Sequence, residues 1–425
     1  KYPPTLAMAS SLRDTATGIL ETYVTWEDAE EKMQKALNTS AKFGPNKSVV
    51  HIGEGNGFVS RIALITCDWI DTKPEEELPA KFALKIASGL ASKALDSEGS
   101  GVDSTEWLEE DVIRRIHNTE VIVYQFFNSV QDEVALPKYF YAVPFTEENT
   151  VAGSLALEFV DNSEIIHAYN NFTVDQVMQT AREIGKLNAL SIVLGVGKIE
   201  ELNKPNVLKE FWDKLNIQVM THSVKSLKLF DKSEEMAMAV DAVVELVPEY
   251  AGTCLTGSIH TQCGFNPVLV NGDLWSANVM VDKDNGSIRA LIDWQAAHHG
   301  VAVEDLLRFS FSALPSKERR DNAEAFIDEL YTSMEDNLQG AKAPLSRKEL
   351  HEAYDLLLPH CGFFFISLAA MLLQAMLAVH DVTEEEKQLR LAIVLEKMRG
   401  ICEDIVVYHE KNKASPRKLQ WQYVE

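Results

Sequence analysis

Two periodicities divide the chain. Up to about residue 160 the apolar positions alternate in short runs, and from Thr173 onward they recur at every third and fourth residue. These are the spacings of half-buried strands and of amphipathic helices. Val49–Ile52, Phe58–Thr66, Lys81–Ile86, Leu136–Phe145 and Ser154–Val160 read as strands rich in β-branched and aromatic residues. Two helices accompany them: Trp26–Leu37, with Thr25 placed to cap it, and Glu106–Phe127. The Gly/Ser-rich stretch Ser88–Ser104 reads as a mobile loop. Thr173-Val174-Asp175-Gln176 fits a capping box. Further helices are expected at Val207–Ser226, Ser233–Leu246, Lys317–Gln339, Arg347–Leu358, Phe363–Val379 and Glu384–Glu410. One strand–loop–strand island, Val268–Trp294, interrupts this helical half. The class is therefore α+β, with the change of character near Asp161–Asn171.

Charge narrows the function. The 425 residues carry 64 Asp+Glu against 40 Lys+Arg, a net −24, and a field of that sign repels phosphate backbones and anionic lipid surfaces. No nucleic-acid role is expected. Five scattered cysteines read as free thiols of a reducing compartment, which places the chain in the cytoplasm. Cys254, His260 and Cys263 lack the paired spacing of a zinc site and read as ordinary loop residues. The start, Lys1-Tyr2-Pro3-Pro4, has no secretory apolar region. Cys361–Val379 is apolar enough to imitate a membrane span, but it contains Ser367 and Gln374 and no Lys or Arg flanks it closely. It reads as a buried helix, so no membrane span is expected.

The candidate chemistry lies in four places. Gly53-Glu54-Gly55-Asn56-Gly57 lets the backbone approach phosphate oxygens at Gly53, Gly55, Asn56 and Gly57, or forms a plain tight turn. A strand follows it instead of a helix, which departs from the dinucleotide fingerprint, and no G-K-[ST] is present. Phe82-Ala83-Leu84-Lys85 places a lysine in an otherwise apolar strand, where an unpaired charge is costly. Its natural partner is Glu120 of the long helix, with Glu109 and Glu110 as rivals. Finally, Val270-Asn271-Gly272-Asp273-Leu274-Trp275-Ser276-Ala277-Asn278 is followed by Leu291-Ile292-Asp293-Trp294. Phosphoryl transfer needs a carboxylate to orient the attacking hydroxyl and oxygen donors to hold Mg²⁺. Asp273 suits the first role, and Asn278 with Asp293 the second.

Together G-D-L-W-S-A-N and I-D-W-Q resemble the choline kinase/aminoglycoside phosphotransferase superfamily, most closely its ecdysteroid-kinase-like (CHK kinase-like) branch. TWEDAEEKMQKAL, FGPNKS, GEGNGFVSRIALI and HNTEVIVYQFF look like the nematode-type members. The resemblance implies a protein-kinase-like bilobal fold. Its N-lobe, residues 1–157, would be a small antiparallel sheet with one long helix; its larger C-lobe, residues 171–425, would be mainly helical. The hinge between them, 158–170, would contact adenine through Glu158-Phe159-Val160-Asp161, Glu158 and Val160 foremost. The resemblance also implies ATP and Mg²⁺. It departs at Asn271, where the superfamily usually has His; that residue shapes the loop and is not the base. The expected activity is transfer of the γ-phosphate to a hydroxyl of a hydrophobic, steroid-like alcohol, along a wall of Phe363, Phe364, Phe365, Leu368, Met371, Leu372 and Met376, a stripe that equally suits plain core. The alternatives are a nucleotide-binding pseudokinase scaffold and a choline/ethanolamine-type kinase. A protein kinase fits less well, since H-R-D, D-F-G and A-P-E are absent. His298-His299 read as loop or rim residues, and Asp305 as a brace for the loop.

Overall fold

A computed structural model describes residues 10–53, 59–91, 109–203, 207–251, 259–378 and 382–415, apart from the side chains of 203, 210–213, 369–372, 374, 375 and 378. The chain divides into two compact units. The first comprises Lys1–Asp132 with Pro137–Asp161, and the second Glu133–Leu136 with Asn162–Glu425.

The first unit contains α1 (Trp26–Leu37), β1 (Lys42–Phe43), β2 (Ser48–Ile52), β3 (Ser60–Thr66), β4 (Trp69–Ile70), β5 (Lys81–Ala87), α2 (Glu110–Phe127), β6 (Tyr139–Val143) and β7 (Ser154–Glu158). Thr25 caps α1 through a full capping box with Asp28. Five strands form an antiparallel sheet in the order β2-β3-β5-β7-β6. Along β5 the alternation is strict: Phe82, Leu84 and Ile86 are fully buried in a core with Ala29, Met33 and Phe43. Period-two geometry turns Lys85 to the opposite face.

The second unit contains β8 (Ser163–Ile165), α3 (Val174–Val193), α4 (Val207–Lys214), α5 (Ile217–Phe230), α6 (Glu234–Tyr250), α7 (Ile259–Cys263), β9 (Val268–Val270), β10 (Val279–Asp282), β11 (Ile288–Leu291), β12 (His298–Gly300), α8 (Glu304–Ala313), α9 (Ser316–Asn337), α10 (Arg347–Ala378) and α11 (Glu384–Lys413). The expected capping box of Thr173 and Gln176 starts α3. The island is larger than its sequence pattern suggests: β8 joins β10 and β11, and β12 pairs with β9. Every β8 residue is short of full burial, and three residues carry too little period to read. The α+β class expected from the sequence is the one observed.

Two helix boundaries differ from expectation. Val207–Ser226 is not one helix, because the Asn216 side chain accepts from Gln218 N and Val219 N and starts α5 afresh. Conversely, Arg347–Leu358 and Phe363–Val379 are one helix through Pro359. Proline has no N–H to give the carbonyl four residues back. That carbonyl, Asp355 O, instead accepts from Asn412 Nδ2 of α11 at 2.8 Å. The apolar end of α10 is thus part of a helix packed against its neighbours, and no helix of the described residues is long and apolar enough to cross a membrane.

The repair of α10 is testable. Asn412→Ala should destabilise the chain by about 1 kcal/mol, the usual worth of such a bond. In a Pro359→Ala background, where the helix regains its own donor, the same change should cost clearly less; urea-denaturation cycles measure the coupling. Equal costs in both backgrounds would contradict the assignment.

Candidate functional site

The first unit supplies a buried ion pair. Lys85 Nζ lies 2.7 Å from Glu120 Oε2, with the lysine side chain 14% exposed and the glutamate 2%. Glu120 is aimed by its helical neighbours. His117 Nε2 donates to Val143 O at 2.9 Å, and the Asn118 amide makes a two-way pair with Phe145, accepting from its N at 2.8 Å and donating to its O at 3.0 Å. These bonds pin α2 to the end of β6. Burial, with a further push from the Lys85 charge, lowers the His117 pKa to about 4 against the opposing effect of its bond to Val143, so the ring is neutral and acts as a fixed donor. The rival Glu110 is paired to Arg114 at 2.6 Å, and Glu109 is exposed where α2 begins.

The glycine run joins adjacent antiparallel strands, since His51 pairs with Ala63 and Ile52 with Ile62. Gly53 has φ +68, the left-handed conformation that glycine tolerates; Gly55, Asn56 and Gly57 lie outside the described residues. At the other end of the unit, Glu158 N donates to Lys138 O at 2.8 Å, and its carboxylate accepts from Lys138 N at 3.2 Å. Val160 is 7% exposed. Lys81 pairs with Asp161 and lies 4.7 Å over the Phe159 ring.

The second unit gathers the other three candidates into one hydrogen-bonded system. The buried strand β9 leads into Asn271, which has no exposed surface. Gly272 follows at φ +79, and a Cβ there would meet Ala296 O at 2.5 Å and His298 Nδ1 at 2.9 Å, so only glycine fits. The Asp305 carboxylate of α8 takes both backbone donors, Asn271 N at 2.7 Å and Gly272 N at 2.9 Å. The Asn271 side chain then spans the two loops. Its Oδ1 accepts from Asp273 N at 3.0 Å, and its Nδ2 donates to Ile292 O at 3.2 Å and Asp293 O at 3.1 Å. Asn278 Nδ2 donates to Asp273 O at 2.8 Å, while Asn278 O accepts from Ile292 N at 2.9 Å. Asp293 stands at φ +60 just past the β10–β11 hairpin, a conformation that Asp tolerates better than most residues.

This geometry suits a hard cation. With its nitrogen engaged, Asn278 keeps Oδ1 as an oxygen donor, and its backbone carbonyl binds the residue before Asp293. Among the described residues there is no group of three or more His, Cys, Asp or Glu able to hold a metal. Two protein oxygens with phosphate and water completing the shell is the usual Mg²⁺ arrangement. It also leaves Cys263 and His260 without a described metal cluster, and Cys254 lies outside the described residues.

His298 and His299 are interior braces rather than rim residues. His298 is fully buried, with Nδ1 donating to Ala296 O at 3.0 Å and Nε2 3.3 Å from Glu304 Oε2. His299 Nε2 donates to Val196 O at 2.9 Å. The far end of α8 is held by Lys397 of α11, whose Nζ donates to Ser312 O at 2.6 Å, Ala168 O at 2.9 Å and Asn170 O at 3.1 Å. His117, Asn118 and Lys397 were not evident as supports from sequence; the only available signal was a polar residue inside an apolar helical stretch.

The chain belongs to the DUF1679 family, described as "Uncharacterized oxidoreductase dhs-27", whose model matches residues 12–413. It is similar to "Uncharacterized kinase-like protein D1044.1" of Caenorhabditis elegans, at 22% identity over 245 residues, 57% of this chain and 63% of that protein. The chain thus spans less than two thirds of that relative's length. Among solved structures it is similar to choline kinase from Cryptosporidium parvum, with 13% identity, TM-score 0.44, and 91% and 96% of the two chains covered. A putative aminoglycoside phosphotransferase from Ralstonia eutropha gives 13% identity, TM-score 0.42, and 91% and 98% coverage.

Asp305 carries a pH signature. Complete burial raises its pKa from 3.8 to about 6, against the lowering effect of the Asn271 and Gly272 N–H bonds. The folded state therefore holds a proton that the unfolded state has lost, and the resulting stabilisation is full below pH 3.8 and gone above about 6. The stability advantage of the parent over Asp305→Asn should accordingly shrink as pH rises across that window, by at most about 1.4 kcal/mol per pH unit. Urea denaturation at several pH values checks this; a constant difference would rule it out.

Proposed function

We propose that the chain is an ATP- and Mg²⁺-dependent small-molecule kinase that phosphorylates a hydroxyl. The observation that carries the reading is the single hydrogen-bonded system of Asp273, Asn278 and Asp293, tied together by Asn271 and Asp305. In this reading Asp273 orients the acceptor hydroxyl and takes its proton. The hydroxyl oxygen bonds to the γ-phosphorus, the bond from that phosphorus to the β,γ-bridging oxygen breaks, and ADP leaves. Asn278 and Asp293 would hold Mg²⁺, which supplies charge neutralisation on the phosphates. Lys85, held by Glu120, would clamp the α/β-phosphates beneath the 53–57 loop, and Glu158 and Val160 would line the adenine through their backbone. A lysine on the third strand of a five-stranded sheet, paired to the glutamate of one long helix, is the arrangement protein kinases use for this purpose.

The word oxidoreductase in the family's description finds less support. A dinucleotide fold needs a parallel sheet with a glycine turn between strand and helix. Among the described residues all the strand pairings are antiparallel, and the glycine run lies between two of those strands. A non-catalytic scaffold is also disfavoured, because Asn271 makes each bond needed to set the base loop against the cation loop.

For the acceptor we favour an apolar, steroid-like alcohol over choline, ethanolamine or an aminoglycoside, with a narrower wall than the sequence suggests. Phe363 is fully buried and stacks on Tyr250 at 4.7 Å, and Phe365 lies 6.0 Å from Phe311. Phe363 serves the interior, whereas Phe365 is half-buried. Phe364, buried against Arg308, and the half-buried Phe365, Leu368 and Met376 remain; the side chains of Met371 and Leu372 lie outside those described.

Two tests follow from these roles. Asp273→Asn should keep ATP affinity within a few-fold while turnover falls about 10²–10⁴-fold, whereas Asp293→Ala should abolish Mg²⁺-dependent nucleotide binding; calorimetry showing the reverse would overturn the assignment. In an acceptor screen read by mass spectrometry, sterols and similar alcohols should raise ATP turnover while choline, ethanolamine and kanamycin do not. Turnover with choline and none with any apolar alcohol would reverse the acceptor choice.

A further inference from the structure

Helix α8 is buried along its whole length, polar residues included. Asp305 and Ser312 hold the base loop, the first through Asn271 N and Gly272 N, the second by accepting from Ser276 N at 2.8 Å. Arg308 lies between them in sequence, 3% exposed, with its guanidinium carbon 4.7 Å over the Phe364 ring of α10. Unlike its neighbours it has two donors, Nε and Nη2, that are sealed from solvent and without a hydrogen-bond partner. These two N–H groups form one edge of the guanidinium and point the same way, the fork that takes a carboxylate or phosphate in bidentate fashion.

Two further orphan groups lie within about one helical turn of that fork's supports. The Ser276 hydroxyl is buried and unpartnered, while its own backbone N is bonded to Ser312, one turn beyond Arg308. The Ser367 hydroxyl is buried and unpartnered, one turn beyond Phe364 on α10. Each orphan can donate. Buried donors without acceptors are costly, a charged group most of all. The orphan donors lie on α8 and on the two elements packed against it, α10 and the base loop.

We infer that Arg308, Ser276 and Ser367 form a receptor for a planar oxyanion carried by the acceptor itself, so that the substrate is an apolar alcohol bearing a carboxylate-type group. The inference deepens the kinase reading and rests on it for the word acceptor, but the anion site is testable without turnover. Phe364 supplies the apolar floor and the fork supplies the charge recognition.

The test is calorimetry and thermal shift on the full chain without ATP, using ω-hydroxydodecanoate, its methyl ester, dodecanediol, and acetate or bicarbonate alone. The acid should bind roughly tenfold or more tightly than the ester or diol. Arg308→Lys, which keeps the charge but not the fork, and Ser367→Ala should each erode that preference; the serine variant keeps the test valid if Arg308 variants do not fold. Arg308-dependent binding of acetate or bicarbonate with no preference for the acid over its ester would make the occupant a free anion and overturn the substrate inference. Equal binding of acid and ester in parent and variants would overturn the site itself. Loss of turnover with intact acid-selective binding would count against the kinase reading alone.

Discussion

Much of the candidate site depends on one side chain facing two loops. Asn271 has a single amide, yet it accepts from the base loop at Asp273 N and donates to the cation loop at Ile292 O and Asp293 O. The position of the carboxylate that would orient a hydroxyl is therefore coupled to the position of the residues that would hold a cation. Asp305 supplies the other half of the constraint by taking the two backbone donors that the tight turn at Asn271–Gly272 leaves pointing inward. A buried turn with two unpaired N–H groups would be costly, and a charged acceptor is the strongest available remedy. Lys397 and Ser312 then keep α8 in place, so that the brace is itself braced.

The first unit solves a similar problem with different parts. Lys85 lies in an apolar strand, because its immediate neighbours Leu84 and Ile86 build the buried face of the sheet opposite to its own. Its charge is tolerable only if an acceptor arrives from the helix, and removing either partner of such a buried pair typically costs about 3–5 kcal/mol. His117 and Asn118 bring the acceptor by bonding to backbone groups at the end of β6 and just beyond it. The result is a positioned ammonium rather than a mobile surface charge. In both units, backbone hydrogen bonds to a neighbouring element set the geometry, and the candidate chemical groups project from that frame.

Much of this was legible in the sequence, and the gaps have physical causes. The change of period, the Thr25 and Thr173 caps, and the Lys85–Glu120 partnership all follow from local pattern and from the cost of an unpaired charge. The order Asp, Asn, Asp with its spacing marked the second unit's loops. What could not be read is whatever depends on a distant partner. Pro359 looked like a helix break because its substitute donor, Asn412, lies on another helix. Three consecutive phenylalanines looked like one wall, but neighbours on a helix point about 100° apart. Phe363, Phe364 and Phe365 accordingly meet Tyr250, Arg308 and Phe311 in turn.

The departure at Asn271 gains meaning from this arrangement. An imidazole offers one donor and one acceptor when neutral, whereas a primary amide offers two donors and an oxygen with two lone pairs. Here both of the carbonyls that Asn271 reaches belong to the cation loop, and a single ring N–H could satisfy only one of them well. Asparagine is thus a more connected residue for this loop pair than histidine would be. The bonds that Asn271 makes couple the Asp273 loop to the Asp293 loop, which supports the kinase reading proposed above.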